Sequence, residues 1–167
     1  MRYFPLITVA CLFVGTSAAA QTDYSVLLRE QGLAKTVATL QSDDAPTASD
    51  AFALGGAQFL LTVEHALQTR YATAFNEDML TDSGLPFLRV PQNLINPAPA
   101  PFEPDIIADI FATAITDLSG AITSLNTIPD TASVSVKIKP ADIWFDINTN
   151  GTQDDGEGFY DIVAPQL

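Results

Sequence analysis

A chain of 167 residues with 20 acidic side chains against 7 Lys and Arg carries a formal charge of −13, and that field argues against nucleic acid as a partner. With 47% hydrophobic residues the chain can bury a sizeable core as one domain. A single cysteine excludes an internal disulfide framework.

The first twenty residues place Arg2 ahead of an apolar run from Phe4 to Val14 and end in Ala18-Ala19-Ala20, the order of a secretory signal peptide. Cleavage is expected after Ala20, and the apolar run is too short to span a bilayer. Cys11 after Thr8-Val9-Ala10 offers an alternative reading as a lipid-attachment site, against which stands the shortness of the apolar stretch before it. Nothing later in the chain reads as a transmembrane segment. The domain is therefore expected to run from 21 to 167 without cysteine. Export without disulfides points to a periplasmic or secreted bacterial protein. Arg2 leaves with the leader while all 20 acids stay, which takes the formal charge from −13 to −14.

From Asp23 to Leu40 the residues Tyr24, Leu27, Leu28, Leu33, Val37 and Leu40 recur at helical spacing, with Thr22 or Asp23 as cap and Gly32 weakening the middle. A polar, turn-rich segment follows. A second helix is predicted from Thr47 or Ser49 to about Phe75, burying Phe52, Gly56, Phe59, Leu60, Val63, Leu67 and Tyr71. Gly55 and Gly56 inside it imply close approach of a neighbouring helix, since each costs about 1 kcal/mol against alanine.

Between Asn76 and Pro104 prolines at 86, 91, 97, 99, 101 and 104 forbid a continuous helix. Leu85, Phe87, Leu88, Val90, Leu94 and Ile95 make this stretch too apolar for a flexible linker, so it reads as an extended arm laid over the helices. A third helix opens at Pro104-Asp105 with a stripe of Ile107, Phe111, Ile115, Leu118, Ile122 and Leu125. Val134, Val136 and Ile138 then alternate with polar residues as in a short strand with no evident partner. The fold class expected is a mainly α, small helical domain of about three long helices with a short extended segment.

The sequence DINTNGTQDDGE at 146–157 gathers oxygen-bearing side chains around one glycine. Asp146 stands first, Asn148 third, Asn150 fifth, Gly151 sixth, Thr152 seventh, Asp154 ninth and Glu157 twelfth. These twelve residues resemble the calcium loop of EF-hand proteins and the calmodulin-type and dockerin-like loops of exported bacterial proteins. The resemblance implies one calcium ion held by side-chain oxygens of Asp146, Asn148 and Asn150, by Asp154 directly or through a water, by the Thr152 carbonyl and by a bidentate Glu157. Gln153 stands where such loops usually carry an aliphatic residue that pairs with a sister loop, which implies a single site. Pro140 leaves room for only a short entering turn, pinned by Trp144 and Phe145. The exit segment can begin a helix that Pro165 stops.

Two other readings attach to the same residues. Asn, Asp and Gly are also what an ordinary polar turn contains, and Asn150-Gly151-Thr152 is a glycosylation sequon that would disable the fifth ligand.

Elsewhere the signals are thin. His65 is the sole histidine; it lies off the main stripe with no nearby nucleophile, and Glu64 beside it points away. Leu54-Gly55 with Tyr71 and Ala74 faintly resembles a tetratricopeptide repeat, though Ala51 and Gln58 stand where aromatics belong. No phosphate loop, HExxH or nucleophile elbow is present, and catalysis is not expected. The reading is an exported protein with one structural or mildly regulatory calcium site. The alternative is a helical, tetratricopeptide-like module that binds an unknown protein partner without metal.

Overall fold

The computed structural model describes residues 21–73, 75 and 94–163. The leader with Cys11, the arm from Asn76 to residue 93, and Pro165 lie outside the described residues. The protein is mainly α, with three long helices: α1 (Ser25–Gln41), α2 (Ala48–Ala72) and α3 (Asp105–Asn126). Strands β1 (Thr22–Asp23) and β2 (Val136–Lys137), a 3-10 turn at Pro140–Asp142 and a short helix α4 (Phe159–Val163) complete the described elements.

The start of α2 follows from a reciprocal cap. Thr47 Oγ1 accepts the Asp50 N–H at 3.2 Å while Asp50 Oδ2 accepts the Thr47 N–H at 2.8 Å, which satisfies two of the helix's orphan donors. The Tyr24 hydroxyl donates to the other Asp50 oxygen at 2.8 Å, and tethers the head of α1 to the head of α2. Burial, with the Asp50 carboxylate beside it, pushes the Tyr24 phenol up to about 12.

Helix α2 is the centre of the protein and packs against both α1 and α3. Gly55 explains the tight crossing with α3: a Cβ there would lie 2.7 Å from Leu125 Cγ. Its neighbour Gly56 faces open space. The predicted α2 stripe is rotated from the observed one. Buried are Ala51, Ala53, Gly55, Ala57, Gln58, Glu64, Ala66, Leu67 and Arg70, whereas Phe52 and Phe59 are exposed. A helix apolar on most of its circumference has no unique face by periodicity, and its small residues decide where neighbours come close. The same holds for α3, where Ile110, Ala114 and Ala121 are buried while Ile115, Ile122 and Leu125 of the predicted stripe are exposed. By length and composition alone α3 is apolar enough to cross a bilayer, which corrects the expectation that nothing after the leader is.

The strand read at Val134–Ile138 does have a partner. Thr22 and Asp23 pair with Val136 and Lys137 in a parallel two-stranded ladder, closed by the Lys137–Asp23 ion pair at 2.9 Å. The described end of the arm lies on the tail of α2: Ala100 donates to the Ala72 carbonyl at 2.9 Å, and Phe102 stacks on Phe75 with ring centres 5.0 Å apart.

Gly32 does more than weaken α1. Its φ of 71° and ψ of −177° break the helix into two segments, a backbone state essentially reserved for glycine. The indole of Trp144 fills the space a side chain would take, 2.9 Å from the Cβ position, and its Nε1 donates to the Arg29 carbonyl at 3.2 Å. The kink is therefore the seat for the residues that lead into 146–157.

Candidate metal centre

The segment 146–157 is anchored at its neck. Trp144 and Gly158 form an antiparallel bridge, with Phe145 N–H donating to the Glu157 carbonyl and Phe159 N–H to the Ile143 carbonyl, both at 2.9 Å. Trp144, Phe145 and Ile147 are buried. Ile143, Phe145, Ile147 and Ile162 share one core cluster with Leu28, Leu33 and Val37 of α1 and with Ala57 and Leu67 of α2. The chain enters the segment through the 3-10 turn and an extended step and leaves it into α4. The expected short entering turn, pinned by Trp144 and Phe145, is what the chain forms.

Inside the neck the side-chain oxygens accept from backbone donors. Asp146 Oδ2 accepts the Gly151 N–H at 3.0 Å. Asn148 Oδ1 accepts the Asn150 N–H at 3.0 Å, and Asn150 Oδ1 accepts the Thr152 N–H at 2.8 Å and its hydroxyl at 2.7 Å. Gly151 has φ 77°, the left-handed turn that a sixth-position glycine permits. Thr149 also has φ 60°, costly for a β-branched residue, so the turn holds backbone strain. Lys35 Nζ lies over Gly151, 3.7 Å from its Cβ position.

Three of the six named side chains converge on one point. The amide nitrogens of Asn148 and Asn150 each donate to Asp154 Oδ2 at 2.7 Å. Glu157 is fully buried; its Oε1 accepts from Ile147 N at 2.8 Å and Asn148 N at 3.4 Å, and its Oε2 from Asp154 N at 2.9 Å. Burial raises its carboxyl above the ordinary value, against the pull of those N–H donors. Asp146 Oδ1 is buried with no hydrogen-bond partner among the described residues. A carboxylate oxygen left this way costs about 1–3 kcal/mol or more.

The donor chemistry suits a hard cation. Each Asn oxygen keeps a second lone pair beyond its backbone bond, Asp146 Oδ1 is unclaimed, and Glu157 already lies across the centre of the turn. The described arrangement is closed on itself, however. Asp154 would have to exchange two amide donors for the ion, and among the described residues no three His, Cys, Asp or Glu side chains are grouped to hold a metal.

Comparison with protein-family models, with curated proteins and with solved structures returned no match. The chemistry of the site therefore rests on its own geometry.

Glu64 is the residue sequence reasoning set aside. It is buried on α2 and its Oε2 accepts the Asp146 N–H at 2.9 Å, while Gln68 Nε2, one turn on, donates to the Asp146 carbonyl at 2.8 Å. The two side chains thus hold both backbone groups of Asp146. The signal was available: Leu60, Glu64, Leu67 and Tyr71 stand at i, i+4, i+7 and i+11, one stripe with a carboxylate inside it. Burial pushes Glu64 up from 4.5 to about 7, with the Asp146 and Glu157 carboxylates adding to it and the Asp146 N–H opposing.

That shift has a sign. A carboxyl raised on folding stabilises the fold fully below its unfolded value and less as pH rises through the folded one. In a chelating buffer the unfolding free energy should fall between pH 4.5 and about 7, with Glu64 contributing up to about 3 kcal/mol of the decline. Glu64→Gln, which keeps an acceptor for Asp146, should flatten the profile by that amount in urea titrations. Parallel profiles for the two proteins would show that Glu64 ionises normally.

His65 pairs with Asp117 at 2.7 Å across α2 and α3. It is partly exposed and lies off the main stripe, as read from the sequence, and its contact with Asp117 joins α2 to α3.

Proposed function

We propose that residues 146–157 bind one calcium ion and that the ion fixes this segment against the helical core. The reading is supported above all by the buried, partnerless Asp146 Oδ1 at the first position of a run whose hydrogen bonds already orient the remaining oxygens. Asp146, Asn148, Asn150, Asp154 and Glu157 would supply side-chain oxygens and Thr152 its carbonyl. Calcium supplies the positive charge that lets the Asp146, Asp154 and Glu157 carboxylates sit together. Glu64 and Gln68 hold the Asp146 backbone, so order in the turn is passed to α2. Trp144 and Phe145 carry it to the kink of α1. The role is structural or mildly regulatory, in a protein of the periplasm or exterior, and no catalytic step is assigned.

Thermal melts in calcium and in chelator test this reading. The midpoint should rise with calcium, and His65→Ala should leave the rise intact because its contact is with Asp117. An unchanged midpoint would favour the second reading, a helical interaction module without metal. The exposed apolar residues of α2 and α3 favour that reading.

A further inference from the structure

The outer face of the α2–α3 pair is apolar, and the described residues leave it uncovered. Phe52 is 44% exposed, Phe59 56%, Ile115 65%, Ile122 59% and Leu125 39%. The two helices run antiparallel, since Gly55 meets Leu125 while Ala66 meets Ile110. Phe59 stands between two hollows of about 300 and 340 Å³. Gly56, Leu118 and Ile122 line the first, and Val63, Phe111 and Ala114 the second. Among the described residues no charged side chain lines either hollow, and nearby Asp117 is turned to His65.

We propose that this face docks on the same face of a second copy of the chain. The first argument is area. At these exposures the five side chains present roughly 500 Å² of apolar surface, the size of patch that marks an interaction site. That is below the roughly 800 Å² per partner of a standard interface and suits a weak, concentration-dependent one. The second argument is self-complementarity. A two-fold contact needs ridges and hollows on one patch, and here Phe59 projects beside hollows large enough for an aromatic ring, so each copy offers what the other inserts. The third argument is charge. A chain of formal charge −13 brings no charged side chain of the hollows into such a contact, and the repulsion that remains is long-range and screened by salt. A basic partner would show the opposite salt dependence.

Sedimentation equilibrium of the purified protein over a micromolar concentration series, at low and high NaCl, tests the proposal. The expected result is a monomer–dimer equilibrium that tightens with salt. Phe59→Glu and Ile115→Lys should each weaken it about tenfold or more with helical circular dichroism unchanged. Val26→Lys, on an exposed site of α1, should leave it intact. Should Phe59→Glu fail to fold, Ile115→Lys decides alone. A monomer at every concentration and salt, a dimer indifferent to Ile115→Lys, or association that weakens with salt would each overturn the proposal. So would a monomer that floats with phosphatidylglycerol vesicles, which would make lipid the occupant.

Discussion

Glu157→Gln is expected to abolish most of the calcium-dependent stabilisation. At a hundredfold excess of calcium over Kd the wild type gains about 2.7 kcal/mol, or about 5–10 °C in midpoint for a chain of this size. The variant should keep less than a fifth of that. Glu157 is the one ligand expected to give both oxygens to the ion, and an amide can give only one. The same carboxylate also accepts three backbone N–H groups, so an amide nitrogen must face at least one donor. The variant will therefore be destabilised without calcium as well, by about 1–3 kcal/mol. The measurement must be the difference between calcium and chelator for each protein. A full calcium shift in Glu157→Gln would remove Glu157 from the site.

Gly32→Ala should be the most damaging single methyl in the protein. Two penalties act together. At φ 71° and ψ −177° an alanine is strained by about 1–3 kcal/mol, and its Cβ meets the Trp144 ring at 2.9 Å, so the indole must leave its seat. A loss of about 3–5 kcal/mol is expected in urea unfolding. Trp144 is the only tryptophan, so its fluorescence reports the displacement directly. The alternative outcome, a loss near 1 kcal/mol with unshifted emission, would mean that α1 straightens through residue 32 and that the kink does not hold the loop.

These two residues show what was legible in the sequence and what was not. The twelve-residue run announced its own oxygens and its glycine, because ligand spacing is local. The helices were equally legible, and the start of α2 was placed at Thr47 or Ser49, of which the structure takes Thr47 as cap. The faces of α2 and α3 were not, since Phe59 and Ile115 look like core by hydrophobicity but lie outside where Gly55 and Ala114 let helices approach. Gly32 read as a mere weakness because its reason, the Trp144 ring, lies more than a hundred residues away. Glu64 was missed for a similar cause: it was weighed only as a partner for His65, from which it points away, and only the chain folding back brings Asp146 onto it. Likewise the strand read at Val134–Ile138 lacked a visible partner because Thr22–Asp23, which pairs with Val136–Lys137, is too short to signal a strand.

Isothermal titration of calcium into the chelator-treated protein bears on the central claim most directly. One binding site with a Kd of about 10⁻⁴ to 10⁻³ M, accompanied by a change in Trp144 fluorescence and lost in Glu157→Gln, is the predicted result. Neither heat nor fluorescence change at millimolar calcium would contradict it, and would leave residues 146–157 as a turn held by its own amides.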